Sequence, residues 1–238
     1  MATALITGGG SLIGAGIARS LVRDGWRVVV SDINLALAKE VAGTLGSAAV
    51  AQPLDVTDHD AVIRLCAELA AANELDALVN VAGGGRGLGV PKADFLNHTP
   101  QQWDRLIAVN LRGMLNVTHA AVGHMAARKA GAVVSVAAAR GLKGGPQAAV
   151  YSALKAAIIV FSQSLAQEVG RDGVRVNSVA PGNTEARWKN ADPGTVRSPL
   201  GSPTAADDVG DAVAFLMSDR ARHITGACLD VSGGTALH

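Results

Sequence analysis

The stretch Thr7-Gly8-Gly9-Gly10-Ser11-Leu12-Ile13-Gly14-Ala15-Gly16 decides the fold, because it joins a predicted strand at residues 3–7 to a helix predicted at residues 13–24. A glycine-rich turn that opens a helix lets backbone N–H groups approach a pyrophosphate closely. A merely flexible turn would contain the same glycines, but a position between a strand and a helix favours phosphate binding. The pattern therefore predicts a phosphate-binding turn at residues 8–14.

The rest of the chain alternates short β-rich runs with longer helical runs, without an internal repeat or a linker. Such alternation predicts a single α/β domain over residues 1–238, a doubly wound parallel sheet with helices on both faces. Ligands of such sheets bind beyond the carboxyl ends of the strands. The predicted strands cover residues 3–7, 27–31, 48–53, 77–80, 132–137, 174–180 and 227–231, and the helices 13–24, 35–45, 59–72, 100–129, 151–170 and 205–218.

Composition excludes several classes of partner. Of 238 residues, 49% are apolar and 28 are glycine, which suits a buried parallel sheet with tight turns. A net charge of +1 gives no electrostatic case for nucleic acid, and the two cysteines have no metal or disulfide spacing. No uninterrupted apolar run approaches the roughly 20 residues of a membrane span. A strand that begins almost at Met1 leaves no room for a signal peptide, so we expect a cytoplasmic protein.

Asp32 follows the second predicted strand. A carboxylate there can accept hydrogen bonds from a ribose 2′-OH and repels a 2′-phosphate. Ser31 and Ile33 add no positive charge beside it, which favours NAD over NADP. The alternative is that Asp32 caps the next helix, with Asn34 as a rival cap.

Polar residues also follow the third and fourth strands. Asp55 could face an adenine amino group, whereas Asp58 is more simply the N-cap of the following helix. In Asn80-Val81-Ala82-Gly83-Gly84-Gly85, small residues would let the backbone pass close to an adenosine. A flexible loop explains those glycines but not Asn80. Asn110 lies among apolar residues of a predicted helix. Such an asparagine can indicate a kink or a bound water, or it can be a polar residue that the helix merely tolerates.

Tyr151 and Lys155 are four residues apart at the start of a predicted helix, so they share one helix face. A phenol with a pKa near 10 is a poor acid–base group at neutral pH. A nearby ammonium favours the phenolate and lowers that pKa, so this spacing can build a general acid/base. The alternative is a half-buried tyrosine beside a solvated lysine.

Taken together, these motifs resemble the short-chain dehydrogenase/reductase family, in the right order and over nearly the whole chain. The resemblance implies a Rossmann-like sheet of about seven strands, a nicotinamide dinucleotide and hydride exchange with an alcohol or carbonyl carbon. The matching pieces are Thr7-Gly8 with Gly14, Asp32, Asp55-Val56, Asn80-Val81-Ala82-Gly83, Asn110, Tyr151-x-x-x-Lys155, Pro181-Gly182 and Leu229-x-Val231-x-Gly233-Gly234.

The resemblance also implies roles for individual residues. Asn110 would hold a water that relays protons to Lys155, and Lys155 would bind the nicotinamide ribose and lower the pKa of Tyr151. Tyr151 would exchange the proton of the alcohol. The implied cofactor site comprises Gly8, Ser11, Leu12, Ile13, Gly14, Asp32, Asp55, Val56, Asn80, Ala82, Gly83, Tyr151, Lys155, Pro181, Gly182 and Thr184.

Three positions depart from the family pattern. The family's catalytic serine, which orients the substrate oxygen, falls at Ala138, whose methyl group cannot donate a hydrogen bond. Leu12 replaces the middle glycine of the turn, and Val81 replaces a second asparagine. Strand alternation should point Ser135 to the other face, and Ser152 should project elsewhere.

Losing one preorganised donor to an oxyanion typically costs roughly 10²–10³ in rate, so we expect slow turnover. Three explanations of Ala138 stay open. Gln147 or Asn183 substitutes as donor, the chain is a divergent or silent relative, or the alanine was introduced to trap a complex. The other catalytic residues are intact, which favours an active parent enzyme.

The substrate loop should follow Pro181-Gly182, at about residues 183–200, and contains Trp188 as either a lid or a packing anchor. Arg86, Arg140 and Lys143 follow strand ends near the proposed pocket mouth. Several cations around one opening suit an anionic substrate such as a carboxylate or a CoA thioester, unless they are ordinary solvated loop charges. The predicted substrate residues are Arg86, Arg140, Gln147, Asn183 and Trp188.

The predicted function is that of an NAD-dependent alcohol dehydrogenase/carbonyl reductase acting on a secondary alcohol or its ketone. The alternative is a catalytically silent NAD-binding subunit or regulatory protein of the same fold. The family usually forms homotetramers or homodimers through the two long helices predicted at residues 100–129 and 151–170. Residues 156–161 are all apolar, so the apolar surface of this helix is wider than the single stripe that packs against a core. The extra width fits a second buried face.

Overall fold

Seven parallel strands form one sheet in the order β3-β2-β1-β4-β5-β6-β7. The computed structural model describes residues 1–184 and 198–236, apart from the side chain of Arg86. This Rossmann-like single domain confirms the predicted fold, and every strand bound lies within one residue of the predicted one. The strands are β1 (Thr3–Thr7), β2 (Arg27–Asp32), β3 (Ala49–Pro53), β4 (Ala77–Asn80), β5 (Gly131–Val136), β6 (Val174–Pro181) and β7 (Cys228–Val231).

Helices cover both faces of the sheet, because successive strand residues alternate between two apolar cores. Ala4 and Ile6 of β1 join one core, and Leu5 between them joins the other. The first core packs against α1, α2 and α8, and the second against α3, α5 and α7. The helices are α1 (Leu12–Arg23), α2 (Leu35–Leu45), α3 (His59–Ala71), α4 (Pro100–Ile107), α5 (Met114–Ala127), α6 (Ala139–Lys143), α7 (Ala149–Val169) and α8 (Ala206–Met217).

The long helix predicted at residues 100–129 is interrupted. A π-helical segment, Ala108–Gly113, separates α4 from α5. The Nδ2 of Asn110 donates to the carbonyl of Leu106, 3.0 Å away and four residues earlier, which brings the side chain into competition with the helix backbone. The short helix α6 was also not predicted, because five residues are too few to show a helical period.

The segment Ala149–Asp172, which contains α7, is long and apolar enough to cross a membrane by composition alone. The mean hydropathy of an 18-residue stretch within it reaches 1.4, and 39% of that stretch is buried inside the protein. Ser152, Lys155 and Ser162 interrupt its apolar residues, so no uninterrupted apolar run of the length of a membrane span occurs in it. A core helix of a folded domain passes the same test, and α7 packs against β5 and β6.

Candidate active site

The turn after β1 is shaped by glycine and one serine. Ser11 caps α1: its Oγ accepts from the Gly14 N–H at 3.1 Å and donates to the Gly8 carbonyl at 2.7 Å. Gly8 has φ +64°, and a Cβ there would lie 2.7 Å from the backbone of Ala82. A Cβ on Gly14 would lie 2.6 Å from the Cα of Gly9. Side chains are thus excluded from the inner turn, as a backbone cradle for phosphate requires.

Leu12, the unexpected residue of this turn, lies at the rim of the cleft beyond the strand ends. Its side chain is 44% exposed, and it lines that cleft beside the half-buried Ile13. The leucine therefore borders the approach to the turn without occupying the inner bend that the glycines form.

Asp32 lies beside this turn. Its Oδ2 accepts from the Gly10 N–H at 3.1 Å, and its Oδ1 accepts from the Asn34 N–H at 2.9 Å. Asn34, the rival cap, is the residue that caps α2, with its Oδ1 accepting from the N–H groups of Ala36 and Leu37. Asp32 is thus half-buried at the edge of the turn and is not needed as a helix cap.

The residues after β3 have local structural partners. Asp58 caps α3, as predicted, by accepting from the Ala61 N–H at 3.0 Å. Asp55 accepts from the N–H and the hydroxyl of Thr57 through one oxygen. The side chain of Val56 is buried in the core. The adenine-facing role of Asp55 and the place of Val56 in the cofactor site stay predictions.

Asn80 turns its side chain into the interior. Its Nδ2 donates to Thr118 Oγ1 at 2.9 Å and to Ser135 Oγ at 3.1 Å, which ties β4 to α5 and β5. Among the described residues its Oδ1 has no hydrogen-bond partner. Ser135 points away from the cleft, as strand alternation predicted. From the loop after β4, the cleft is lined by Val81, Gly83 and Gly84, and the predicted residues Asn80 and Ala82 are not among its lining residues.

Asn110 fixes this loop from the π-helical segment. It is fully buried, its Oδ1 accepts from the Gly84 N–H at 2.8 Å, and its Nδ2 donates to the Gly84 carbonyl at 2.9 Å. A Cβ on Gly83 would lie 2.6 Å from this Oδ1 and 3.5 Å from Lys155 Nζ. Asn110 therefore positions the loop that borders Lys155. The water relay implied by the resemblance stays a prediction, because the amide is engaged with backbone groups.

Tyr151 and Lys155 share one face of α7, as their spacing predicted. Lys155 Nζ lies 5.7 Å from the ring centroid of Tyr151 and donates to the Val136 carbonyl at 2.8 Å. The lysine is only 4% exposed, and this burial lowers its pKa to about 8. The end of β5 thus holds the ammonium beneath the phenol.

A cleft of about 460 Å³ joins these elements beyond the carboxyl edge of the sheet. Ala138 lies in it at the entrance to α6 and offers only a methyl group where the family has a hydroxyl. Neither Ser135 nor Ser152 lines the cleft, and no described hydrogen bond involves the buried Ser152 hydroxyl. Predicted site residues in the lining are Ser11, Leu12, Ile13, Gly83, Ala138, Arg140, Tyr151, Lys155, Pro181, Gly182, Asn183 and Thr184.

A second cavity of about 300 Å³ lies against the other side of Tyr151. Gln147 lines it with a left-handed backbone (φ 57°). The predicted residue Trp188 and the side chain of Arg86 lie outside the described residues. Sequence reasoning missed most of this cavity, because the chain between β4 and α4 has no regular period. Those additional lining residues are Gly85, Val90, Pro91, Lys92, His98, Leu106 and Ala148.

Known proteins share this architecture. The family profile described as Enoyl-(Acyl carrier protein) reductase matches residues 10–236. A (3R)-3-hydroxyacyl-CoA dehydrogenase of Mus musculus is 35% identical over 98% of this chain and 95% of the mouse protein. A cis-4-hydroxycyclohexanecarboxylate dehydrogenase of Sinomonas cyclohexanicum is 36% identical over 97% of this chain and 95% of that protein.

A solved structure is similar over almost its whole length. It is the 3-ketoacyl-(acyl-carrier-protein) reductase from Brucella melitensis complexed with NADH, with a TM-score of 0.89 and 29% identity. The match covers 99% of this chain and 98% of that one. The chain belongs to the short-chain dehydrogenase/reductase family, which confirms both the resemblance read from the motifs and the oxidoreductase class.

Proposed function

We propose that this chain is an NAD-dependent alcohol dehydrogenase/carbonyl reductase that acts on a secondary alcohol or its ketone. The observation that carries the proposal is the position of Tyr151, which lines both the cleft and the second cavity, directly above the buried Lys155. A phenol placed between a cofactor cleft and a small-molecule cavity can reach a hydroxyl that reacts at the boundary of the two.

The cleft fits a nicotinamide dinucleotide on its own geometry. The glycine turn leaves backbone space at the N-terminus of α1 for a pyrophosphate. Asn34 and not Asp32 caps α2, so the Asp32 carboxylate would be available to accept a hydrogen bond from a ribose 2′-OH. Its neighbour Ile33 has no positive charge that would attract a 2′-phosphate. These features favour NAD over NADP. When bound, the cofactor supplies the hydride acceptor for oxidation or the hydride donor for reduction.

The residues of this chain would move the proton. During oxidation, the phenolate oxygen of Tyr151 accepts the proton of the substrate hydroxyl while the carbon loses its hydride, and a carbonyl forms. During reduction, the phenol returns that proton to the oxygen. Lys155, held by the Val136 carbonyl, favours the phenolate while it is protonated. Asn110 and Gly84 fix the loop beside it.

The substrate class we propose is an anionic hydroxy or oxo compound, including one carried on a CoA thioester. The names of two relatives support this class, since hydroxyacyl-CoA and hydroxycyclohexanecarboxylate are both anionic. Basic side chains of the second cavity, Lys92 and Arg140, agree with it.

Assays of three proteins test the proposal against a silent NAD-binding subunit or regulatory protein, which Ala138 and Leu12 favour. We expect slow oxidation of hydroxy acids by the natural chain, followed by the near-ultraviolet absorbance of NADH. Ala138→Ser should raise turnover by about 10²-fold, because it restores a donor to the developing oxyanion. Tyr151→Phe should abolish turnover without loss of NADH binding. If NADH binds but no variant ever turns over, the silent-protein alternative is correct.

For the assembly, we propose a homotetramer or homodimer built on α7 and the helices α4 and α5. Exposed apolar side chains on these elements support it, among them Val160, which is 59% exposed. Light scattering would measure the mass in solution. We also propose a cytoplasmic location with no nucleic-acid or membrane partner, as the composition suggests.

A further inference from the structure

Two residues line both the cleft and the second cavity among the part of the chain that the structure describes: Tyr151 and Arg140. Tyr151 is the proposed acid/base. A substrate that reacts at Tyr151 and extends into the second cavity would therefore lie against Arg140.

The guanidinium of Arg140 is held in place by the loop that follows α6. Its Nη1 donates to the Pro146 carbonyl at 3.2 Å, and it packs so closely over Gly145 that any Cβ there would collide with it. No carboxylate of the described residues forms an ion pair with Arg140. The side chain is thus a positioned, half-buried cation without an anionic partner at the junction of two cavities.

We propose that Arg140 is the specificity-determining residue that binds the carboxylate of a small hydroxy acid, or of the corresponding oxo acid, at the junction of the cleft and the second cavity. The inference rests on the proposed function and names its substrate class. A planar guanidinium has donors that match a carboxylate in pairs, which fixes orientation as well as position. A cavity of about 300 Å³ limits the bound part to a small molecule.

This role also accounts for tolerance of alanine at position 138. The family's serine orients the reacting oxygen, and Ala138 cannot. A substrate anchored at its carboxylate by Arg140 and at its hydroxyl by Tyr151 is fixed at two points. A substrate without the carboxylate loses one of them, so anchoring at Arg140 should improve the alignment of the hydroxyl with Tyr151.

The kinetic test compares an acid with its neutral isostere. We would measure kcat/KM with NAD for 3-hydroxybutanoate and for 3-hydroxybutanamide, which differ in charge and little in size. Arg140→Gln should lower the value for the acid by about 10- to 100-fold and that for the amide by less than about threefold, since a hydrogen bond to a charged group is lost. Arg140→Lys should restore part of the preference for the acid, because it keeps the charge but not the paired geometry.

Lys143→Gln is the matched control. Lys143 lies on the same short helix and lines the cleft, but it does not line the second cavity. We expect its removal to leave the acid-to-amide ratio within about threefold of the natural value. The role of Arg140 would be overturned if Arg140→Gln lowered kcat/KM equally for the acid and the amide. It would also be overturned if Lys143→Gln changed the acid-to-amide ratio of kcat/KM as much as Arg140→Gln does.

A binding measurement separates this inference from the proposed function. Tyr151→Phe loaded with NADH cannot turn over, and calorimetric titration with butanoate and butanamide then reports the anion site alone. We expect butanoate to bind at least about tenfold more tightly than butanamide, and Arg140→Gln to remove the difference. Equal binding of the two probes would refute the inference even if the enzyme is active. Selective butanoate binding without turnover by any protein would refute only the proposed function.

Discussion

At the scale of single residues, the cleft has a methyl group at Ala138, and neither of the nearby serines, Ser135 and Ser152, lines it. When the chain is aligned with the family motif at Tyr151, Ala138 falls at the position of the family's serine, whose hydroxyl is a hydrogen-bond donor. The structure places Ala138 in the lining of the cleft, together with Tyr151 and Lys155. The two nearby serines do not compensate, because strand alternation turns Ser135 to Asn80 and helix geometry buries Ser152. The methyl group should therefore limit the rate of the chemical step.

Asp32 carries a prediction about cofactor choice. Asp32→Ala should reduce the preference for NADH over NADPH by about tenfold or more, because it removes the ribose acceptor and the repulsion of a 2′-phosphate. Fluorescence titration of both cofactors would measure it. Asp32→Asn can still accept a hydrogen bond from the Gly10 N–H, and it should also reduce the preference for NADH over NADPH. Asp55→Ala is the control, since a carboxylate facing adenine should affect both cofactors alike; an unchanged ratio in Asp32→Ala would refute the ribose assignment.

At the scale of elements, the interruption between α4 and α5 links helix geometry to the site. Asn110 makes three described hydrogen bonds, two with Gly84 and one with Leu106. The apolar residues around Asn110 predicted one continuous helix. The periodicity of apolar residues does not reveal where a side chain competes with the helix backbone for hydrogen bonds. The π-helical segment faces the loop beside Lys155, in keeping with the frequent placement of such segments at functional sites.

Removing that amide should destabilise the element and the site together. Asn110→Ala should lower the free energy of unfolding by about 2–3 kcal/mol, because it leaves buried backbone groups without partners. Asn116→Ala, which removes one described bond to the Val56 carbonyl, should cost about 1 kcal/mol. Urea unfolding of the cofactor-free proteins compares them. Equal losses in the two variants would show that Asn110 contributes no more to stability than the half-buried amide of Asn116.

At the scale of the whole molecule, the buried ammonium of Lys155 makes stability depend on pH. Its pKa is lowered by burial from 10.5 to about 8. Below about pH 8 both the folded and the unfolded chain hold the proton, and folding must bury the charge. Between about pH 8 and 10.5 the unfolded chain still holds a proton that the folded chain has released, so the contribution of Lys155 to stability rises with pH.

Lys155→Met removes this pH dependence together with the hydrogen bond to the Val136 carbonyl. The stability of the cofactor-free variant relative to the natural chain should therefore fall by about 2 kcal/mol as the pH rises through the window. Urea unfolding of the natural chain and the variant at about pH 7.5 and about pH 9.5 would measure it. Lys39→Met, which removes an exposed lysine, should show no such change. Parallel pH profiles for the natural chain and Lys155→Met would contradict the proposed burial cost.

Local patterns in the sequence by themselves determined the parallel sheet, the glycine-rich turn between β1 and α1, the candidate helix caps Asp58 and Asn34, and the shared face of Tyr151 and Lys155. Each follows from spacing along the chain or from the end of a strand, and such features need no distant partner. The family motifs added the oxidoreductase class and pointed to Ala138 as a departure.

Only the tertiary structure decided which of those side chains meet. It buried Asn80 against Ser135, gave the cap of α2 to Asn34 and left Asp32 beside the turn. It also formed a second cavity lined in part by the chain between β4 and α4, which has no helical or strand periodicity. Arg140 and Tyr151 both line this cavity. Contacts of this kind depend on how separate elements pack in three dimensions, because residues far apart in the chain become neighbours only when the sheet brings its strand ends to one edge.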